Sequence, residues 1–133
     1  MRPFTVQLPL MVLLACVLGC GAGESLRVTS IQLGRSLNAD STVGGHTTRF
    51  EPGDTVYVSV ITTGAGSGTI AVRWTYGARL LGEPKKKVSY KDVAATEFHL
   101  ESAGGFPVGD YTVEAFLDGQ SAGTREFRVE KER

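Results

Sequence analysis

From Leu26 to Val129 the side chains alternate with a period of two. A chain patterned this way buries one face of an extended strand and cannot bury a helical stripe, so the pattern dictates β-structure. Leu26, Val28, Ser30 and Gln32 alternate with Arg27, Thr29, Ile31 and Leu33. Thr55–Thr62 puts Val56, Val58 and Val60 on one face. Thr69–Tyr76 puts Ile70, Val72, Trp74 and Tyr76 on one face, with Arg73 and Thr75 on the other. Lys86–Tyr90 is a weaker strand. Ala95–Glu101 turns Thr96, Phe98 and Leu100 inward and Glu97, His99 and Glu101 outward. Tyr111, Val113, Ala115 and Leu117 share a face, and Phe127 with Val129 closes the series. The buried positions favour β-branched and aromatic residues, which pack well on a pleated surface.

Turn residues separate these runs. Glu51-Pro-Gly-Asp54 enters one strand, Gly82-Glu-Pro84 interrupts another, and Asp118-Gly119 is a hairpin turn signal. Gly64-Ala-Gly-Ser-Gly68 is expected to be a flexible loop or the end of a hairpin. Gly34–Arg49 is polar and unpatterned, so it is expected to be a long loop with a short strand near Thr47–Phe50. No stretch after the leader has helical period. About seven strands in roughly 105 residues predict an all-β, two-sheet antiparallel sandwich. The chain has 133 residues, enough for one domain with a real core. Its 2 cysteines, Cys16 and Cys20, both lie near the amino terminus and make no disulfide framework.

Trp74 lies on the third patterned strand, where immunoglobulin-like sandwiches often bury a tryptophan. Pro107-Val-Gly-Asp-Tyr111 resembles a tyrosine corner, in which a tyrosine hydroxyl reaches back to the backbone of the preceding connection. The run GDYTVEAFLDGQSAGTREFRV resembles the closing hairpin of small immunoglobulin-like domains in bacterial envelope proteins. Phe50-Glu-Pro-Gly-Asp-Thr-Val-Tyr57 resembles the entry to their second strand. The resemblance spans Leu26–Val129, lacks the intersheet cysteine pair of antibody domains, and implies a fold without naming an activity.

Met1–Gly19 reads as a secretory leader. Arg2 is its only charge, Leu8–Leu18 is almost wholly apolar, and small residues follow. The apolar run falls short of the ~20 residues that a membrane span needs. Val17-Leu18-Gly19-Cys20 resembles a bacterial lipobox with variants at its first two positions. The resemblance implies cleavage before Cys20 and acylation of that residue, and two or three acyl chains anchor far more firmly than one. Gly21, where an aspartate would signal inner-membrane retention in enteric bacteria, implies the outer membrane. The expected organisation is leader 1–19, lipidated cysteine and tether 20–25, sandwich 26–130 and charged tail 131–133. Residues 20–25 hold the domain close to its membrane, since five residues reach at most ~18 Å.

Motifs for catalysis are sparse. Gly119-Gln-Ser121-Ala-Gly123 matches the GxSxG pattern, but the motif needs a strand-turn-helix, and here another strand follows. The 2 histidines are His46 and His99. His99 lies between Glu97 and Glu101 on a strand face, the one foothold for a metal-dependent or histidine-based hydrolase. The ordinary reading of that trio is a solvated face. A copper site of the cupredoxin kind is excluded, because the mature chain offers neither a methionine nor a cysteine other than the anchor. The glycine-rich stretches carry no phosphate-loop spacing. No cofactor is expected.

Lys and Arg together number 14, matching 14 Asp and Glu, which argues against nucleic acid as partner. Lys85, Lys86 and Lys87 form the only basic run, suited either to an anionic surface or to guarding a sheet edge. Tyr57 and Phe116 are expected on outer faces of different sheets, as candidate contact residues. The chain is therefore expected to be a non-catalytic interaction or accessory module of a bacterial envelope. Its partners would be the bilayer, through acylated Cys20, and another envelope protein or polymer. A purely structural envelope protein is the neighbouring alternative.

Overall fold

The computed structural model describes residues 24–131, so the leader and Cys20 lie outside the described residues. Ten strands follow in order: β1 (Arg27–Leu37), β2 (Val43–His46), β3 (Arg49–Phe50), β4 (Val56–Thr63), β5 (Gly66–Tyr76), β6 (Arg79–Gly82), β7 (Lys85–Tyr90), β8 (Ala94–Leu100), β9 (Gly109–Leu117) and β10 (Gln120–Val129). Among the described residues there is no helix. One sheet has the order β2-β1-β4-β8. The other runs β3-β10-β9-β5-β6, with β7 also on β5. The fold is an immunoglobulin-like all-β sandwich. Pairings within the sheets are antiparallel except for β3, which lies parallel to β10 through Arg49↔Arg128 and Phe50↔Val129.

The inward faces of β4, β5, β8, β9 and β10 agree with the alternation, whereas in β1 a bulge between Val28 and Ser30 switches the face, so that Val28 packs on the core together with Ile31 and Leu33. Val56, Val58, Val60, Ile70, Val72, Trp74, Phe98, Tyr111, Val113, Ala115, Phe127 and Val129 are all buried. Phe127 meets Trp74 and Phe50 edge-on and stacks on Tyr111 at 5.1 Å. The Tyr111 hydroxyl donates to the Pro107 carbonyl at 2.5 Å, which is the tyrosine corner. Asp118 and Gly119 join β9 to β10, both with positive φ, as a two-residue hairpin turn of matching twist requires.

The structure corrects two expected loops. Gly34–Arg49 is mostly strand: β1 continues to Leu37 and pairs back with β2. This ribbon folds over the outer face of the four-stranded sheet, where the hydroxyl of fully buried Ser59 donates to the Ser41 carbonyl. Only Val43 of the ribbon's return strand is buried, so its sequence carries no amphipathic signal. A Cβ on Gly34 would overlap the Gly44 carbonyl oxygen, so the fold-back needs glycine there. The short strand expected near Thr47–Phe50 is β3. In the second case, Gly66–Gly68 belongs to β5 and leaves only Gly64 and Ala65 as the connection. A Cβ on Gly64 would overlap the Ser25 carbonyl oxygen, because the incoming chain crosses at that point.

Strands β6 and β7 run end to end along one edge of β5, parted by Glu83 and Pro84, where the Val72 amide donates to the Pro84 carbonyl at 3.1 Å. They are one edge strand broken by a proline, which cannot continue the ladder.

Candidate functional site

A sandwich has two open flanks, where the edge strands of its sheets face one another. On one flank, Arg125 of β10 pairs with buried Val113 and so points inward, and its Nη1 donates to the Ile31 carbonyl of β1 at 2.7 Å. On the other flank, Lys86 of β7 pairs with buried Ile70 and also points inward. Its ammonium donates to the Glu97 carbonyl of β8, lies 3.3 Å from Glu97 Oε2, and sits 4.9 Å from the Phe98 ring centre. Tyr90 and Thr96 add a hydroxyl pair at 2.8 Å. Inward-pointing charges of this kind block strand addition.

Above Lys86 the second flank is open. A cleft of about 300 Å³ lies there, lined by Tyr76, Leu81, Leu100, Phe106, Pro107 and Tyr111, with Arg79 and Glu101 among its polar residues. A β-bulge builds part of it. Trp74 pairs with Gly82 and Thr75 with Leu80, leaving Leu81 as the extra residue. Tyr76 stacks on Tyr111 at 4.6 Å and donates its hydroxyl to the Val108 carbonyl at 2.9 Å. The β8–β9 connection is pinned by the Phe106 amide, which donates to the Pro52 carbonyl at 2.8 Å. Gly109 must be glycine: its φ is 146° and a Cβ would lie 2.9 Å from the Tyr76 ring. Leu80 is 53% exposed, Leu81 37% and Val108 41%, so three of the five large exposed apolar side chains among the described residues gather at this pole. Isolated exposed apolar groups are ordinary, whereas a cluster around a cleft suits a contact surface.

The tyrosine at the floor of the cleft is electrostatically quiet at neutral pH. Burial first, and the neighbouring Tyr76 second, push the Tyr111 phenol above its ordinary value of about 10.

The residues singled out from the sequence do not converge. Tyr57 is half-buried on the outer face of the four-stranded sheet, its ring 5.7 Å from that of His99. Phe116 is half-buried on the outer face of the six-stranded sheet, under the Arg73 guanidinium at 4.8 Å. Arg73 is itself held by Glu83 at 2.5 Å, and this hydrogen bond, ahead of the charges of Glu83 and Glu114, raises its pKa. The three lysines split: Lys85 and Lys87 stand on the outer face, while Lys86 crosses to the other sheet. His99 touches Glu97 through Nδ1 at 2.5 Å and approaches Glu101 through Nε2 at 3.9 Å. These partners sit on opposite ring nitrogens, and among the described residues no group of three acidic, histidine or cysteine residues could hold a metal ion. His46 ends β2 at the surface, and Ser121 lies on β10 donating to Glu114 Oε2 at 2.7 Å. Strand β6 has no counterpart among the patterned runs. Its one signal is the adjacent pair Leu80-Leu81 between Gly77 and Gly82, too short to show a period.

No protein-family model matches the chain, and no curated protein matches it. Solved structures do. An immunoglobulin-like protein from Pseudomonas aeruginosa is 13% identical with a TM-score of 0.55, covering 83% of this chain and 100% of its own. A β-glucosidase from Erythrobacter marinus is 17% identical with a TM-score of 0.54 over 80% of this chain, which spans 15% of the enzyme's length. An alkylpurine DNA glycosylase from Pseudomonas fluorescens, solved bound to DNA, is 7% identical with a TM-score of 0.50 over 80% of this chain and 30% of its own. At these identities the likeness is one of fold, and the fold appears both as a whole protein and as a part of larger enzymes.

Proposed function

We propose that the chain is a lipid-anchored, non-catalytic interaction module of a bacterial envelope. It is held by acylated Cys20 and engages another envelope protein through the cleft around Leu81. The observation that carries this reading is polarity. The described chain starts beside the β4–β5 connection, where Ser25 bridges Ala65, and the exposed apolar cleft sits at the other end of the same strands. The lipobox-like Val17-Leu18-Gly19-Cys20 and the short tether support an anchor at the first pole. A guarded lower flank beneath an open apolar one supports a specific contact at the second.

The test places a photo-crosslinking residue at Leu81 or, as control, at exposed Thr124 on β10, in the full chain expressed in cells. A discrete adduct from position 81, absent from 124 and lost with Cys20→Ala, is the expected result. The same adducts from both positions, or none from 81, would sink the interaction reading. Unchanged membrane fractionation of Cys20→Ala would sink the anchor.

A further inference from the structure

We infer that the pole where the chain enters the sandwich rests on the phospholipid bilayer, with Val93 at the contact. This rests on the lipid-anchor reading above. Strand pairing places the pieces. Thr62 of β4 pairs with both Val28 and Ala94, and Gly66 of β5 pairs with Tyr90. The Lys91–Val93 connection therefore lies at the same end as Ser25 and Ala65, whose amide donates to the Glu24 carbonyl at 3.0 Å. Val93 is 65% exposed, more than any other large apolar side chain in the described residues.

Tether length makes this pole the one that meets lipid. Residues from Cys20 to Glu24 allow at most ~18 Å of chain, while the eleven residues of β5 lift the Leu81 end by roughly 33 Å. Tethering also raises the local concentration, so a small apolar contact suffices to orient the domain. Lys91 stands beside Val93, suited to an anionic headgroup. Each acidic group at this pole already has a partner: Asp92 Oδ1 accepts from the Val93 amide at 2.7 Å, Glu24 pairs with Arg27 at 3.1 Å, and Asp118 Oδ1 accepts from the Thr69 amide at 2.8 Å. The consequence is an orientation. The cleft faces away from the anchoring leaflet, toward partners that stand off from the membrane.

The chain's own chemistry makes the test clean. Cys16 and Cys20 are its only cysteines, so in the acylated mature protein a thiol introduced by Val93→Cys or Val108→Cys is the sole reactive one. Both positions are exposed, so neither substitution threatens folding. Each lipidated variant carries an environment-sensitive fluorophore and is reconstituted into phosphatidylethanolamine–phosphatidylglycerol vesicles containing a headgroup spin label. A blue shift and quenching at 93, with neither at 108, is expected. Equal responses at 93 and 108 on vesicles that retain the protein would overturn the orientation and leave the anchor standing. Protein that does not float with vesicles, and whose amino-terminal peptide carries no acyl mass, would overturn the anchor and this inference together.

Discussion

At the scale of single residues, the fold depends on a few positions where chemistry admits little choice. Tyr111 is one. Its hydroxyl holds the Pro107 carbonyl and its ring floors the cleft between Tyr76 and Phe127. Tyr111→Phe is expected to keep the packing and cost about 1 kcal/mol, the net worth of one hydrogen bond, read as a lower denaturant midpoint at unchanged slope. The same residue sets a pH dependence. Burial raises its folded pKa above the unfolded value of about 10, so its contribution is complete below pH 10 and is lost as pH rises through the folded pKa. Wild-type stability should fall above pH 10, and Tyr111→Phe should flatten that part of the decline in denaturation midpoints measured against pH. Glycines separate in the same way. Gly77 and Gly109 both have positive φ, but a Cβ at 77 meets open space while one at 109 strikes the Tyr76 ring. Gly109→Ala should therefore cost more than the roughly 1 kcal/mol expected for Gly77→Ala, a difference that thermal unfolding resolves.

At the scale of elements, the open flanks are the vulnerable parts of a sandwich. Lys86 and Arg125 each turn a charge inward from an edge strand and donate to a backbone carbonyl of the facing sheet. Lys86→Val would remove the guard from β7 and β8 and leave an apolar side chain over Phe98. Concentration-dependent self-association is expected, visible by sedimentation velocity, with monomeric stability changed little. Solely monomeric behaviour at high concentration would show that Lys86 does not guard the edge. The β1–β2 ribbon is a different case. Its hold on the sheet rests on Val43, the Ser59–Ser41 hydrogen bond and the close approach of Gly34 to Gly44. Gly34→Ala should lift the ribbon, seen as faster amide exchange confined to residues 35–46 while the core strands stay protected.

At the scale of the whole molecule, the decisive fact is that the two ends of the sandwich differ. One receives the chain and carries Val93; the other carries Leu81, Val108 and the aromatic cleft. An exposed leucine contributes little to stability, so Leu81→Asp should leave the unfolding free energy within about 0.5 kcal/mol of wild type while abolishing the adduct formed by a photo-crosslinking residue at Val108 of the same pole. Much of this molecule is legible in its amino-acid sequence. Alternation alone assigns Val56, Val58, Val60, Ile70, Val72, Phe98 and Val113 to the core, and Asp118-Gly119 to a hairpin, because side-chain direction in a strand and the φ demands of a tight turn are local properties. The sequence by itself therefore determined the faces of β4, β5, β8, β9 and β10, the fold class and the tyrosine corner, but not the face of β1, where a bulge between Val28 and Ser30 breaks the alternation. Tertiary structure alone decided the rest: that Lys86 crosses to the other sheet, that a polar ribbon covers Ser59, and that a bulge exposes Leu81 beside Phe106. Each of these depends on which strand edges come to face one another. That is set by pairings between residues far apart in the chain, and no local pattern encodes it.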